Sequence, residues 1–339
     1  MKIFNLKIKY LFLLLLIFII IIIKFTIYLI KKNKLVIAVI PGCKGSRGPN
    51  NFNKGLIDVL PYNTNNCKFI NSNSSFYFNS IIDYFYYSCP QFNQKTYNLL
   101  VKTKKANKLI LGPNFVPIKW FKFPNKKSWK EKRFPEIIKT IKGIAVHTDR
   151  AKFYLASRSK TINMIKKYKN IRQCSNLVPK NIKSFKERTI DILFFEKYID
   201  LDRKHQGELL LNLLNKTGKK IEVIKYGYYN KKRIKKLSNN SKFIIYFSFY
   251  DIGPIGLIEI QNHGVILFTH QKEFVIDNNS SFFVPELANK YDMKPAFNII
   301  MEKIDLISKS NPNLELIAKA NQNYYKCENA LNDLCNNII

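Results

Sequence analysis

The chain has 339 residues, with 57 Lys and Arg against 23 Asp and Glu, a formal charge of +34, and 46% of it is hydrophobic. That apolar share can build a buried core, which excludes a wholly disordered or collagen-like chain. The basic residues are 49 Lys and 8 Arg scattered along the chain. A nucleic-acid binder would cluster them and favour Arg for bidentate contacts. No nucleic-acid partner is therefore expected, and the basic surface suits anionic substrates or anionic lipid.

The first element is an apolar run from Leu11 to Ile30, broken only by Lys24 and Thr26. Twenty helical residues at about 1.5 Å each match a bilayer core of about 30 Å. No small-residue cleavage site follows, and the run ends in Lys31, Lys32 and Lys34, so a cleaved signal peptide fits less well. The expectation is a single-pass N-terminal anchor over residues 1–33. Lysines flank both ends, so the positive-inside rule leaves the side of the membrane open.

Next, Lys34 to Ile40 (KLVIAVI) reads as a buried strand stopped by Pro41 and Gly42. A loop with Gly42, Gly45, Gly48 and Gly55 follows, with neither GxGxxG nor P-loop spacing. It reads equally as a ligand loop at a strand's carboxyl end or as a surface loop. Lys108–Leu111 and Gly143–His147 read as further strands. Asn79–Tyr87, Pro135–Ile141, Asp149–Ala156 and Thr161–Tyr168 read as helices. Asn176–Lys186, with Pro179 and no period, is the candidate linker.

The second half alternates more cleanly. Strands are expected at Ile192–Phe195, Lys220–Lys225, Phe243–Phe247 and Val265–Phe268, and helices at Arg203–Asn215, Lys231–Leu237 and Ile255–Asn262. Alternation of this kind builds a parallel sheet covered on both faces. The expected fold is α/β: two Rossmann-like parallel-sheet domains facing a cleft. The boundaries are 34–180 for the first domain, 181–310 for the second, and 311–339 for a C-terminal helical segment.

Six cysteines (Cys43, Cys67, Cys89, Cys174, Cys327, Cys335) show no CxxC spacing and four histidines no HxxxH, so no metal site is expected. A Cys327–Cys335 bridge is expected if the domain lies in an oxidising compartment. Sequons at Asn73, Asn215, Asn239, Asn278 and Asn279 are a chance expectation in so Asn-rich a chain.

The segment from Phe249 to Val284 carries the chemistry. Asp251 follows a buried strand. Gly253, Pro254, Ile255 and Gly256 then open a helix whose N–H groups face an anion, and Glu259 stands eight positions after Asp251. Asp251-Ile252-Gly253, then Glu259, then His263-Gly264-Val265, resembles the retaining nucleotide-sugar glycosyltransferases of family 4, of GT-B fold. Their pattern is Glu-x-Phe-Gly-x4-Glu. Here the first acid is Asp, Ile252 replaces the Phe, and the Gly comes one place early. Upstream, Lys197 and Arg203 stand six apart after a strand, where the family places an Arg and a Lys on the donor diphosphate; their order is swapped. The likeness spans about residues 190–285.

This resemblance implies sugar transfer from a nucleotide-diphosphate sugar, with retention and without metal or other cofactor. Lys197 and Arg203 would neutralise the departing diphosphate. Glu259 would accept the ribose hydroxyls and Asp251 the donor-sugar hydroxyls. His147, at a strand end before Thr148, reads either as a cleft residue touching donor phosphate or acceptor, or as a hydrogen-bonded strand-end histidine. His205 and His270 read as surface residues and His263 as structural. The partners implied are a nucleotide sugar, a glycan, lipid or protein acceptor, and the membrane. Two other readings stay open: an inactive GT-B-like protein that binds a glycan or partner, and a nucleotide-sugar epimerase.

Overall fold

The computed structural model describes residues 14–26, 34–40, 47–72, 81–87, 98, 101–112, 136–158, 161–197, 201–225, 230–246, 255–270, 272–277, 279–285 and 292–338. Residues 14–26 form helix α1, whose large apolar side chains are exposed, Leu14 at 62% and Phe18 at 61%. Among the described residues no helix is long and apolar enough to cross a membrane. Residues 11–13 and 27–30 of the expected anchor lie outside the described residues.

Two sheets follow. The first orders its strands β2-β3-β1-β4-β5-β6-β7. They are β1 (Leu35–Ile40), β2 (Tyr62–Asn63), β3 (Cys67–Asn71), β4 (Tyr84–Tyr87), β5 (Leu109–Leu111), β6 (Gly143–Val146) and β7 (Tyr168–Asn170). All pair in parallel except β2, which runs antiparallel at the edge. The second sheet is wholly parallel, ordered β12-β11-β10-β8-β9. Its strands are β8 (Ile190–Glu196), β9 (Ile221–Lys225), β10 (Ser241–Tyr246), β11 (Ile266–Thr269) and β12 (Ser281–Phe283).

The continuous apolar runs are explained by burial on both faces. Successive strand residues alternate sides. In β1, Ala38 and Ile40 enter one core with Phe85 and Leu109, while Ile37 and Val39 enter the opposite one with Tyr86 and Ile110. In the second sheet Ile192, Phe194, Phe243 and Ile245 face one core, and Leu193, Phe195, Ile244 and Tyr246 the other.

Helices cover these faces. α2 (Arg47–Asp58) contributes Phe52 and Leu56. α3 (Asp149–Arg158) contributes Leu155 and Ala156. α4 (Leu201–Asn215) buries Leu210 and Leu214; α5 (Lys231–Asn240) and α6 (Ile255–Gln261) cover the other face through Ile234, Leu237, Leu257 and Ile260. α7 (Lys294–Ser310) lays Ala296, Ile300 and Ile304 on α4's side at four-residue spacing.

The chain then returns to the first sheet. α8 (Leu314–Tyr324) leads into α9 (Cys327–Ile338), whose Ala330, Leu331, Leu334 and Ile338 join Ile37, Val39 and Ile110 in one core. Two disulfides hold it there, Cys67–Cys335 and Cys174–Cys327. The expected Cys327–Cys335 bridge is thereby corrected: both residues lie on α9, and each finds a cysteine beneath it. Cys43 and Cys89 lie outside the described residues.

Other local expectations also shift. The helix expected over Asn79–Tyr87 is instead strand β4 at its described end, because Tyr84-Phe85-Tyr86-Tyr87 fills the slot between β1 and β5. Thr161–Tyr168 splits into a 3-10 turn and the start of β7. The glycine-rich loop gives way to α2 at Arg47. Residues 171–189, which include the expected linker Asn176–Lys186, carry no helix or strand.

Candidate functional site

In an open parallel sheet, a crevice forms at the carboxyl edge where neighbouring strands connect in opposite directions. In the second sheet that point lies between β8 and β10, because β8 leads out to β9 and β10 to β11. β8 and β10 are in register there, Phe195 beside Tyr246.

The expected donor-site residues attach to these two strands. Lys197 follows β8 directly and is half-buried. Arg203 lies in the first turn of α4, which starts at Leu201, and its side chain lies outside the described residues. Asp251, Gly253 and Pro254 also lie outside the described residues. Ile255 begins α6, with its side chain undescribed, and Gly256 is half-buried. Glu259 is nine-tenths buried on α6, and its backbone carbonyl accepts from His263 Nδ1 at 2.8 Å. The elements carrying Lys197, Arg203 and Glu259 thus share one carboxyl edge.

Behind this edge sits a fully buried guanidinium. Arg188 is 2% exposed and donates to the carbonyls of Lys183, Ser238, Ser241 and His263. It joins the linker, the end of α5, the start of β10 and the α6–β11 turn. Burial lowers its pKa to about 10. His263, 1% exposed, packs beside it as the structural residue expected. Its pKa is held below the ordinary value chiefly by burial, with the charges of Arg188 and Lys235 adding and the Glu259 carbonyl opposing. The turn itself needs Gly264: its φ is +75°, and a Cβ there would stand 2.2 Å from the Leu314 carbonyl oxygen.

His147 lies at the carboxyl end of β6. It is buried; its Nδ1–H donates to the Ile171 carbonyl at 3.1 Å, and its ring meets Phe52 of α2 edge-on at 5.3 Å. It is the hydrogen-bonded strand-end histidine of one sequence reading, and it also lines a cavity of about 260 Å³. Phe274, beyond β11 of the second sheet, lines the same cavity, as do Arg172, Gln173, Tyr324 and Asp333. The two sheets therefore meet here. His270, expected at the surface, is buried at 7%. His205 is exposed.

The cavity residues outside the motifs had no sequence signal. Arg172 and Gln173 lie in a stretch without period, and Tyr324 and Asp333 come from the returning helices. Among the described residues no cluster of His, Cys, Asp or Glu could hold a metal ion.

No protein-family model matches the chain, and no curated protein matches it. Solved structures do. The apo form of the lipopolysaccharide outer core galactosyltransferase WaaB is similar at a TM-score of 0.50 and 11% identity, over 88% of this chain and 98% of that one. A sucrose-phosphate synthase from Thermosynechococcus elongatus is similar at 0.48 and 10%, over 88% and 97%. An alpha-glucosyltransferase in complex with UDP is similar at 0.46 and 9%, over 88% and 97%. At such identities the likeness is one of fold. The chain has an α/β fold of two parallel sheets that matches structural neighbours of GT-B architecture.

Proposed function

We propose that the protein is a membrane-anchored glycosyltransferase. It would move a sugar from a nucleotide-diphosphate donor to an acceptor with retention, without a metal. One observation carries this reading: the elements bearing Lys197, Arg203 and Glu259 converge on the switch point of the second sheet. A crevice there suits a nucleotide. The likeness of fold to a galactosyltransferase supports the same reading.

In this mechanism the departing diphosphate gathers negative charge, and Lys197 with Arg203 stabilises it as the glycosidic bond breaks. Glu259 holds the ribose hydroxyls, and Asp251 accepts from the donor sugar. His147 stands on the opposing sheet, at the acceptor side. The apolar run from Leu11 to Ile30 supports the anchor. The two disulfides support placing both sheets on the oxidising side of that membrane.

The test is to incubate purified full-length protein with UDP-, GDP- and ADP-sugars. Release of a nucleoside diphosphate is expected. Interconversion of the sugar nucleotides would instead show an epimerase, and neither reaction would leave a binding protein.

A further inference from the structure

We propose that the Cys174–Cys327 disulfide is a hinge staple: it fastens together the roots of the two chain crossings between the sheets, so that the second sheet turns about one fixed point. The hinge stands whether or not the protein transfers a sugar.

The chain passes between the sheets twice. The first crossing lies within residues 171–189. Its root is held on the first sheet's side: Arg172 pairs with Asp333 of α9, Nε to Oδ2 at 3.0 Å and Nη2 to Oδ1 at 3.1 Å. Asn176 Nδ2 donates to the Gly55 carbonyl of α2 at 3.0 Å. Its far end belongs to the second sheet, where Lys183 Nζ donates to Asn240 Oδ1 at 2.7 Å and Arg188 donates to the carbonyls of Ser238 and Ser241. Between these ends Leu177 and Val178 are exposed. The second crossing is Tyr325 and Lys326 alone. Before it, α8 packs Leu314 and Ile317 into the second sheet's core; after it, α9 packs into the first sheet's. Short element-terminal segments of this kind absorb the backbone changes of a hinge.

The two crossings meet at one place. Across the disulfide the Cα atoms of Cys174 and Cys327 stand 4.8 Å apart. Beside it the Ser175 N–H donates to the Tyr325 carbonyl at 3.0 Å. Both crossings also grip the end of α6. Asn262 Nδ2 donates to the Leu177 carbonyl at 2.9 Å, and the Tyr325 hydroxyl donates to Gln261 Oε1 at 3.1 Å. From α8, Asn321 Nδ2 and Gln322 Nε2 donate to the carbonyls of Gln261 and Asn262 at 2.8 and 3.0 Å. Roots free to part would let the second sheet shift as well as turn; joined roots leave rotation. Room to turn exists, because the cavity of about 260 Å³ adjoins this point, walled by Tyr324, Tyr325 and Arg172, by His147 of the first sheet and by Phe274 of the second. A close-packed joint would resist the same movement. The other disulfide, Cys67–Cys335, ties β3 to the later part of α9, away from both crossings.

The experiment uses full-length protein in detergent with spin labels at Lys139 and Glu302, exposed residues of the two sides. The labels are attached through azide-bearing amino acids, which leaves the cysteines untouched, and double electron–electron resonance reads the distance between them. Cys174→Ala with Cys327→Ala should broaden the distance distribution relative to wild type. Cys67→Ala with Cys335→Ala should leave it unchanged. Tyr325→Phe keeps both disulfides, frees the end of α6 from one hydrogen bond, and should broaden the distribution less. Circular dichroism checks that each variant is folded; Cys174→Val with Cys327→Ala, which refills more of the lost sulfur volume, is measured beside the double alanine.

A distribution as narrow in the folded Cys174 and Cys327 variants as in wild type would overturn the staple. Equal broadening from both disulfide pairs would assign the effect to loosening of α9 and also overturn it. Loss of fold in both variants of the Cys174–Cys327 pair would make the bond a requirement of folding rather than a hinge part. An unchanged distribution in Tyr325→Phe would remove the end of α6 from the hinge.

Discussion

Arg188 shows how one residue sets local stability. Its guanidinium satisfies four carbonyls from four segments. Arg188→Met would leave those acceptors buried and unpaired, at about 1–3 kcal/mol each before relaxation. A loss of about 3 kcal/mol or more in urea unfolding is expected. Arg188→Lys should recover only part, since an ammonium lacks the planar fork. His263 beside it predicts a pH effect. Its folded pKa lies below the unfolded value of about 6.5. Below that value the unfolded chain binds the proton more readily than the folded one. The stability from neutral His263 is therefore complete above about pH 6.5 and lost as pH falls toward the folded pKa. The urea midpoint should drop between pH 7 and pH 5 by more in wild type than in His263→Asn. Equal drops would assign the acid sensitivity to other groups.

At the scale of elements, α6 and α9 make separable predictions. Glu259 lies within α6, and Asp251 precedes it by eight residues. Under the proposed roles, Glu259→Gln weakens nucleoside-diphosphate binding by about 1.5–3 kcal/mol, the range for a hydrogen bond to a charged group. Asp251→Asn leaves that affinity intact and lowers turnover, because the sugar is absent from the diphosphate. Asp251→Glu should retain activity. Calorimetry and turnover for the three variants would decide, and the reverse pattern would overturn the role assignment. α9 is fixed by bonds to residues 268 and 153 positions away. Closing such long loops restricts the unfolded chain. Replacing Cys174 and Cys327 together by Ala should cost about 2–5 kcal/mol, measured by denaturation under non-reducing conditions, and a fully reduced comparison should show only the smaller cost of losing two buried sulfur atoms.

Across the whole molecule, the proposed anchor and the disulfides must agree on one topology. Full-length protein should stay in the membrane pellet after alkaline carbonate. In sealed vesicles the two sheets should be protected from added protease wherever the vesicle interior is the oxidising side. Extraction by carbonate would remove the anchor, and protease exposure on the reducing side would conflict with two intact disulfides.

The alternation of strands and helices in the second half was legible in the sequence because each signal is local. Ile192–Phe195 and Phe243–Phe247 are short apolar runs, and Leu210 with Leu214 marks one helix face; the structure places β8, β10 and α4 over them with end shifts of one or two residues. Tyr84–Tyr87 was not legible as a strand, because the same aromatic residues suit a buried helix, and only the slot between β1 and β5 selects one. The same division holds for the candidate site. The spacing of Asp251 and Glu259 and the Lys197–Arg203 pair stand in the sequence, and the strand order puts the elements bearing Lys197, Arg203 and Glu259 at one edge. The cysteine partners and the return of α9 to the first sheet carry no local pattern. They arise from contact between segments more than a hundred residues apart, which periodicity does not encode and the path of the chain through two sheets decides.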